Sequence, residues 1–491
     1  MMSSSDLRKD LLDDLYGYLG PVGLLQAQAD IDGYRNDLSG ASAGHIIAVA
    51  RPASTADVVR VVQSCARVGI PITPRGGGTG LSGGATPVSG TSLVVCFERM
   101  RAIRAVDPVG NHMVVEAGVT LQAAQQAAQQ VQRQLGLDHG GAGSSQIGGN
   151  LSTNAGGNNV VRYGMAREQV LGLEVVLADG RRLDFLAPLR KNNAGYDLKG
   201  LFLGSEGTLG LITAATLRLR PAAKTRATML LALTDTTAVM ACFARSQQAL
   251  GECLTAVELM PGVAFDLVRM AYPATRAPFA QTPPWMLLLE AESSVHHCDL
   301  ETAMGDLFEQ ANAAGEVNDG NLAASQNQRQ EFWTLRERIA HVMIDSPICL
   351  KMDTAVPIAC IPDFLIEAGH AVHQVLPDCR PIPFGHVGDG NIHFNVLGPQ
   401  GMPAEQFARY RPTLADAIEQ CAVRLGGTIS AEHGVGLLKK QALVTMRSAA
   451  ERDVMSRLRT ALDPNALLNP GKVIDSAPSS AGSVTEAVPR R

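Results

Sequence analysis

The sequence predicts a two-domain α+β protein, and three observations carry that expectation. Glycine is concentrated in three clusters within the first 222 residues, each beside a run that reads as a strand. The texture changes after Arg220-Pro221, from small residues and glycine to alternating apolar strand candidates and helical patterns. A dense polar stretch rich in histidine then appears between 381 and 440. A chain of 491 residues is long enough for two or three domains and needs no disulfide or metal staple to fold.

The elements follow in order. Residues 1–41 read as an irregular helical lead. Ile46 to Val49 is a short apolar run broken at Arg51-Pro52, and Ser54-x-x-Asp57 resembles a capping box. Val58, Val59, Val61, Val62, Cys65 and Ala66 follow at helical spacing. Ile70 to Thr73 reads as a strand and runs into the first glycine loop, Arg75 to Gly84. Ser92 to Phe97 and Met113 to Ala117 read as strands, and Thr120 to Leu135 as a helix. The second cluster spans 140–164. Glu174 to Arg181 looks like a hairpin with Asp179-Gly180 at its turn. The third cluster, 200–210, leads into an apolar strand, Leu211 to Leu219. A boundary near 222 separates a first domain, 42–222, from a second, 223–474, in which Thr228 to Leu233 and Trp285 to Glu290 are strand candidates. Residues 475–491, rich in Ser, Ala and Pro, read as a disordered tail.

Charge and cysteine exclude several classes. The net charge is −5, so there is no basic footprint for nucleic acid. Nine cysteines are scattered without a CxxC pair, which argues against a disulfide framework or zinc ribbon and for a reducing, cytoplasmic setting. No apolar run approaches the length of a membrane span.

Gly78-Thr-Gly80-Leu-Ser-Gly83 matches GxGxxG, but a dinucleotide fold requires a helix directly after it, and Thr86-Pro87 cannot start one smoothly. What survives is a concave nest of backbone N–H groups suited to a phosphate. The second cluster, Gly140 to Gly157, carries no charge and two large apolar side chains, which suits close approach to a large, flat, partly polar ligand.

In the polar stretch, Gly388-Asp-Gly-Asn391 is strong turn chemistry. A four-residue hairpin there sets Val387 opposite Ile392 and His386 opposite His393, with His393 and Asn395 on one face. Ser430-Ala-Glu432-His433-Gly434 adds a carboxylate and a third histidine. Two histidines and one carboxylate form a common divalent site; zinc fits, and manganese or iron(II) also suit it. Glu432 and His433 are neighbours, so a turn at Gly434 must bring both side chains to one place. Read from the residues alone, a hydrolase using this site is a rival, although it leaves the three glycine stretches idle.

The loop Arg75 to Gly84, the stretch Ser144 to Gly164 and the run Leu201 to Thr213 together resemble the FAD-binding domain of the vanillyl-alcohol-oxidase/PCMH flavoproteins. The resemblance implies a two-part FAD domain. It implies that Arg75, Gly76, Gly77, Gly78, Thr79, Gly80 and Ser82 hold the pyrophosphate, together with Gly143, Ser144, Gly148, Gly149, Asn150, Ser152 and Thr153. Asn154, Gly156, Gly157, Tyr163 and Gly164 complete that cofactor wall, and Glu206, Gly207, Gly210 and Ile212 line the flavin or adenine side. Covalent members carry a histidine where this chain has Thr79, so FAD is expected to be noncovalent.

The polar segments and Leu467 to Lys472 resemble the C-terminal domain of FAD-linked D-2-hydroxyacid dehydrogenases, nearest the D-2-hydroxyglutarate branch. Carried onto this chain, His386, His393 and Glu432 become ligands of one divalent metal, His433 the base, and Asn395, Arg336 and Lys351 substrate contacts. Trp333 to Glu337 and Leu350 to Asp353 fit the substrate region. The branch often has a hydroxyl residue four positions after the arginine; here it is Ala340. The expected reaction is oxidation of a D-2-hydroxy acid, D-2-hydroxyglutarate before D-lactate or glycolate, with electrons passed to an electron-transfer flavoprotein or a quinone. A homodimer fits the family, and a noncatalytic FAD-binding subunit is a further rival.

Overall fold

Two sheets build the first half of the molecule, whose computed structural model describes residues 4–88 and 90–476. Most of the expected tail, 477–491, therefore lies outside the described residues. The first sheet is parallel at its centre: His45–Ala50 runs beside Thr91–Cys96, and Ile72–Arg75 flanks the latter. Parallel neighbours need a crossover, supplied here by the helix Thr55–Val68. Its N-terminus is capped by Ser54, which accepts the Asp57 N–H at 3.2 Å. Asp57 is one methylene short of the glutamate of a full capping box, and its carboxylate takes the Ala53 N–H instead. No helix follows the first glycine loop; the next element is the strand Thr91–Cys96. The segment ahead of this sheet joins it. The helix Ser4–Gly23 buries Leu11 and Leu15, and Leu24 pairs with Ala50.

The second sheet is antiparallel, in the order Ile103–Asp107, His112–Glu116, Leu211–Pro221, Val170–Val176, Arg182–Phe185. The Asp179-Gly180 turn joins the last two strands, with Gly180 at φ 82°. The helix expected to reach Leu135 stops at Gln130. Gln132 takes φ 56°, and Arg133–Leu135 pairs with the end of Leu211–Pro221. The Gln-Ala repeat offers a weak apolar stripe, so sheet pairing of Leu135 with Leu219 overrides it.

The second half is built on one eight-stranded antiparallel sheet. Its central strands are Thr225–Leu233, Trp285–Ser293, Leu254–Pro261, Arg380–His386 and Asn391–Leu397. Both faces are buried. Met229, Leu231 and Leu233 face one core, while Leu230 and Ala232 face another. Hence these strands read as unbroken apolar runs rather than alternating ones. The helix Gln326–Asp345 covers the second face, contributing Phe332, Trp333, Leu335 and Ile339. The chain finally returns to its beginning: Leu468 forms a parallel bridge with Ile72, and Ile72 donates to Leu467 at 2.8 Å.

Candidate active site

A cavity of about 620 Å³ lies between the two halves, walled by glycine backbone on one side and by charged side chains on the other. On the glycine side the first two clusters pack main chain against main chain. A Cβ on Gly77 would stand 1.9 Å from the Ser144 carbonyl oxygen, so only glycine fits. Gly149, in contrast, has nothing within 4 Å of its Cβ position and lines the cavity. Two buried polar atoms on this wall, Gln146 Oε1 and His139 Nε2, have no partner among the described residues. A cradle of bare backbone with one unspent acceptor, Gln146 Oε1, and one unspent donor, His139 Nε2, fits a large polar cofactor such as FAD.

Most of the expected cofactor residues reach this wall: Gly76, Gly77, Gly78, Thr79, Gly80 and Ser82 from the first loop, then Ser144, Gly148, Gly149, Asn150, Ser152, Thr153, Gly156 and Gly157, then Glu206, Gly207, Gly210 and Ile212. Four do not. Gly143 lies in the turn behind it. Asn154 ends the helix Ile147–Thr153 at φ 54° and accepts the Arg167 N–H. Gly164, at φ 75°, ends the next short helix. The Tyr163 hydroxyl donates to Glu292 at 2.7 Å, tying the two halves together away from the cavity. Arg75 touches the cavity, but its guanidinium is committed elsewhere, donating to Asn36 O at 2.9 Å and Gly33 O at 3.3 Å. Its charge thereby ties the N-terminal segment to the first glycine loop.

The hairpin carrying the histidines turns one residue earlier than expected, which slips the cross-strand pairing by two. His386 pairs with Asn391 and Phe384 with His393, so Val387 to Gly390 form the turn. Asp389 accepts the Asn391 N–H, and Gly390 sits at φ 83°. A slip of two preserves which face a side chain takes. His386 and His393 therefore still share a face, now diagonally, with ring centroids 5.5 Å apart.

His386 is pinned by a residue the sequence reading missed. Its Nδ1 lies 2.5 Å from Glu258 Oε1, while Arg336 Nε donates to Glu258 Oε2 at 2.7 Å. Glu258 is fully buried. Burial opposes its charge, but His386 and Arg336 overrule burial and hold its carboxyl at about 2. For His386, burial would lower the pKa and the Glu258 charge raises it to about 9. Arg336 also lies over the Phe384 ring, 4.7 Å from its centroid. The signal was present in the sequence, since Glu258 is a lone carboxylate inside the apolar strand Leu254–Pro261.

A second buried carboxylate shapes the other segment. Asp353 Oδ2 accepts the backbone N–H groups of Ala431, Glu432 and His433 at 3.2, 3.0 and 2.8 Å. Its Oδ1 accepts Asn391 Nδ2. Burial is again outweighed, here by His433, Lys439 and His393, which hold Asp353 well below the usual carboxylate range. This wrapping lets neighbours in sequence face one place: Glu432 Oε1 stands 3.8 Å from His393 Nε2 and 3.7 Å from His433 Nε2. Burial, followed by the charge of His386, keeps His393 well below its ordinary pKa and so neutral.

Asp353, His393, Glu432 and His433 gather their ligand atoms within 4.8 Å of one another, a group that could hold a metal ion. His386, expected as a ligand, is not among these four; Glu258 holds its Nδ1 and the pairing slip sets it diagonally to His393. Asp353 falls inside it, but both its oxygens are already engaged. Arg336, Lys351, Asn395 and Ala340 all line the cavity. Arg336, expected as a substrate contact, already has an anionic partner in Glu258. Lys351 lines the cavity without an ion pair among the described residues. Asn395 Oδ1 accepts the Met352 N–H at 3.0 Å, leaving its amide donor available.

Comparison with known proteins agrees with this two-sided cavity. Residues 222–473 match the family of FAD linked oxidases, C-terminal domain, and residues 46–185 match the FAD binding domain family. The chain is 37% identical over 449 residues to a D-2-hydroxyglutarate dehydrogenase of Xanthomonas citri pv. viticola, covering 91% of this chain and 93% of that one. It is 35% identical to one of Stutzerimonas stutzeri, covering 94% and 98%. A mitochondrial D-2-hydroxyglutarate dehydrogenase of Bos taurus is 35% identical, covering 86% and 76%. In fold, the chain matches p-cresol methylhydroxylase with a TM-score of 0.76 at 16% identity, over 96% of this chain and 97% of that one. Among the described residues, no helix is long and apolar enough to cross a membrane. The chain belongs to the D-2-hydroxyglutarate dehydrogenase family of FAD-linked oxidases and is an FAD-dependent oxidoreductase.

Proposed function

We propose that this chain oxidises D-2-hydroxyglutarate, or a close D-2-hydroxy diacid, to the 2-oxo acid by hydride transfer to FAD. The observation that supports this best is the single cavity joining the glycine cradle to the cluster of His386, His393, Glu432, His433, Arg336 and Lys351. FAD, when bound, supplies the electron sink, and a divalent ion, zinc in this reading, supplies Lewis acidity.

The protein's residues then divide the work. His393 and Glu432 hold the ion. On losing its proton His386 would join them, since a metal-binding histidine commonly gives its other nitrogen to a carboxylate, as His386 does to Glu258. His433 takes the proton from the substrate hydroxyl. Asn395 donates its amide to the substrate. Lys351 and the Arg336 nitrogens not spent on Glu258 hold the remote carboxylate. With Thr79 in the first loop, FAD is bound noncovalently and released by acid. The nine free cysteines support a reducing, cytoplasmic setting. An electron-transfer flavoprotein or a quinone takes up the electrons, and the chain acts as a homodimer.

One observation favours a second reading, D-lactate or glycolate as substrate. Ala340 lines the cavity where the branch often places a hydroxyl, and Arg336 already has an anion. Anaerobic flavin reduction with a panel of D- and L-2-hydroxy acids separates the two. D-2-hydroxyglutarate or D-malate should exceed D-lactate, and Arg336→Ala should penalise the diacid far more. Faster reduction by D-lactate, or an equal penalty on both, moves the assignment to the monoacid. Chelation should abolish turnover with FAD still bound, and full activity in metal-free protein would remove the ion from the mechanism.

A further inference from the structure

Glu206 belongs to the FAD-binding half, yet its carboxylate is spent on the other half. It sits at φ 52°, a conformation uncommon outside glycine, between Gly204 and Gly207. Its backbone N–H donates to Ser152 O at 2.8 Å, anchoring it to the second glycine cluster. Its side chain is buried, and both oxygens accept main-chain N–H groups: Oε1 from Val435 at 2.7 Å and Oε2 from Gly436 at 2.8 Å. Immediately upstream, Asp353 takes the N–H groups of residues 431, 432 and 433. Five backbone donors of one six-residue segment therefore end on two buried carboxylates, one from each half of the molecule. Glu432 and His433 lie between these anchors. At Gly434, φ 80°, a Cβ would stand 2.9 Å from Glu206 Oε1, so no side chain fits where the segment bends.

We infer that Glu206 is a positioning residue: it fixes, from the flavin-binding half, where Glu432 and His433 stand over the cavity. The inference rests on the roles proposed above for those two residues. Amide-to-carboxylate bonds are charge-assisted and directional, so two of them set the orientation of the turn as well as its distance. A glutamine in this place keeps one acceptor and turns an amide donor against the second N–H. Displacement of a proton acceptor by about 1 Å can cost on the order of 100-fold in rate.

The test uses the holoenzyme of Glu206→Gln and of the milder Glu206→Asp, which keeps the charge and shortens the reach. Three quantities are read: FAD per chain, hydrogen exchange of the peptide 429–437, and the rate of flavin reduction per bound FAD by D-2-hydroxyglutarate. The expected result is exchange about tenfold faster or more in 429–437, the loss of one hydrogen bond's worth of protection, with the peptide 285–293 unchanged. Reduction per bound flavin should fall by about 10- to 100-fold with little change in half-saturation by substrate. Unchanged exchange, or faster exchange with an unaltered reduction rate per flavin, overturns the inference. So does activity lost only in proportion to lost FAD, because that marks a structural strut. If Glu206→Gln does not fold, Glu206→Asp carries the same readings. A normal reduction rate in His433→Ala would instead sink the proposed base, and the exchange measurement still decides whether Glu206 holds the turn.

Discussion

The two walls of the cavity recognise ligands in opposite ways. The glycine wall offers main chain: Gly77 is pressed against the Ser144 carbonyl, and Gly149 leaves open space where a side chain would stand. The polar wall offers side chains, several of them held by buried carboxylates distant in sequence: Glu258 for His386 and Arg336, Asp353 for the turn bearing Glu432 and His433. A backbone cradle tolerates almost any change except added atoms. A charged wall fails when one charge is removed, because its partners remain buried without compensation.

The largest effect should come from removing a charge. Glu258→Gln leaves Arg336 and His386 facing each other across a buried site, and breaking such a pair costs about 3–5 kcal/mol. Urea unfolding should show a loss of that size, and flavin reduction by substrate should collapse. If stability and reduction both stay near wild type, the polar wall does not depend on compensation and the contrast between the walls fails.

The seam between the two halves should come next. Lys472 is fully buried, donates to Thr86 O and lies near Asp37 and Glu206. Burial lowers its pKa from 10.5 to about 8 despite those carboxylates. Between these values the unfolded chain binds the proton and the folded chain does not, so this lysine makes stability rise with pH across that window, by at most about 3 kcal/mol. Denaturation of wild type against Lys472→Met from pH 8 to 10.5 should show the gain only in wild type. Parallel curves for the two proteins would mean that the lysine stays charged in the fold.

The glycine wall should give the smallest stability effect and a clear loss of flavin. Gly77→Ala forces a Cβ against main chain and should cost about 1–3 kcal/mol by overpacking, with FAD content falling. Gly149→Ala adds a methyl to open space, so its melting temperature should hold while bound FAD drops. Equal thermal losses in the two variants would show that Gly149 is kept for folding rather than for ligand room.

Much of this was legible from local chemistry. Three glycine clusters beside strands located one wall, and turn chemistry between two histidines located the other. The turn was misplaced by one residue, which slips the pairing by two and does no harm, because side chains alternate with a period of two; a pairing slip of one would have sent His393 to the opposite face. Helix ends were less legible. The segment after Thr120 gave up its last turns because Leu135 gains more by pairing with Leu219 than a Gln-Ala repeat gains by continuing.

Residue types and their near spacing showed which chemistries were at hand: bare backbone for a large cofactor, imidazoles and carboxylates for a metal, arginine and lysine for an acid. Both act over a few residues. Which charge compensates which depends on how the whole chain folds. Glu258 meets His386 and Arg336 across 128 and 78 residues, and Glu206 meets Gly436 across 230. The chain end also crosses back, so that Leu468 lies beside Ile72. No local pattern encodes such partners. They are chosen when the strands pair and the two halves close, because a charge buried by that closure must find its counter-charge there.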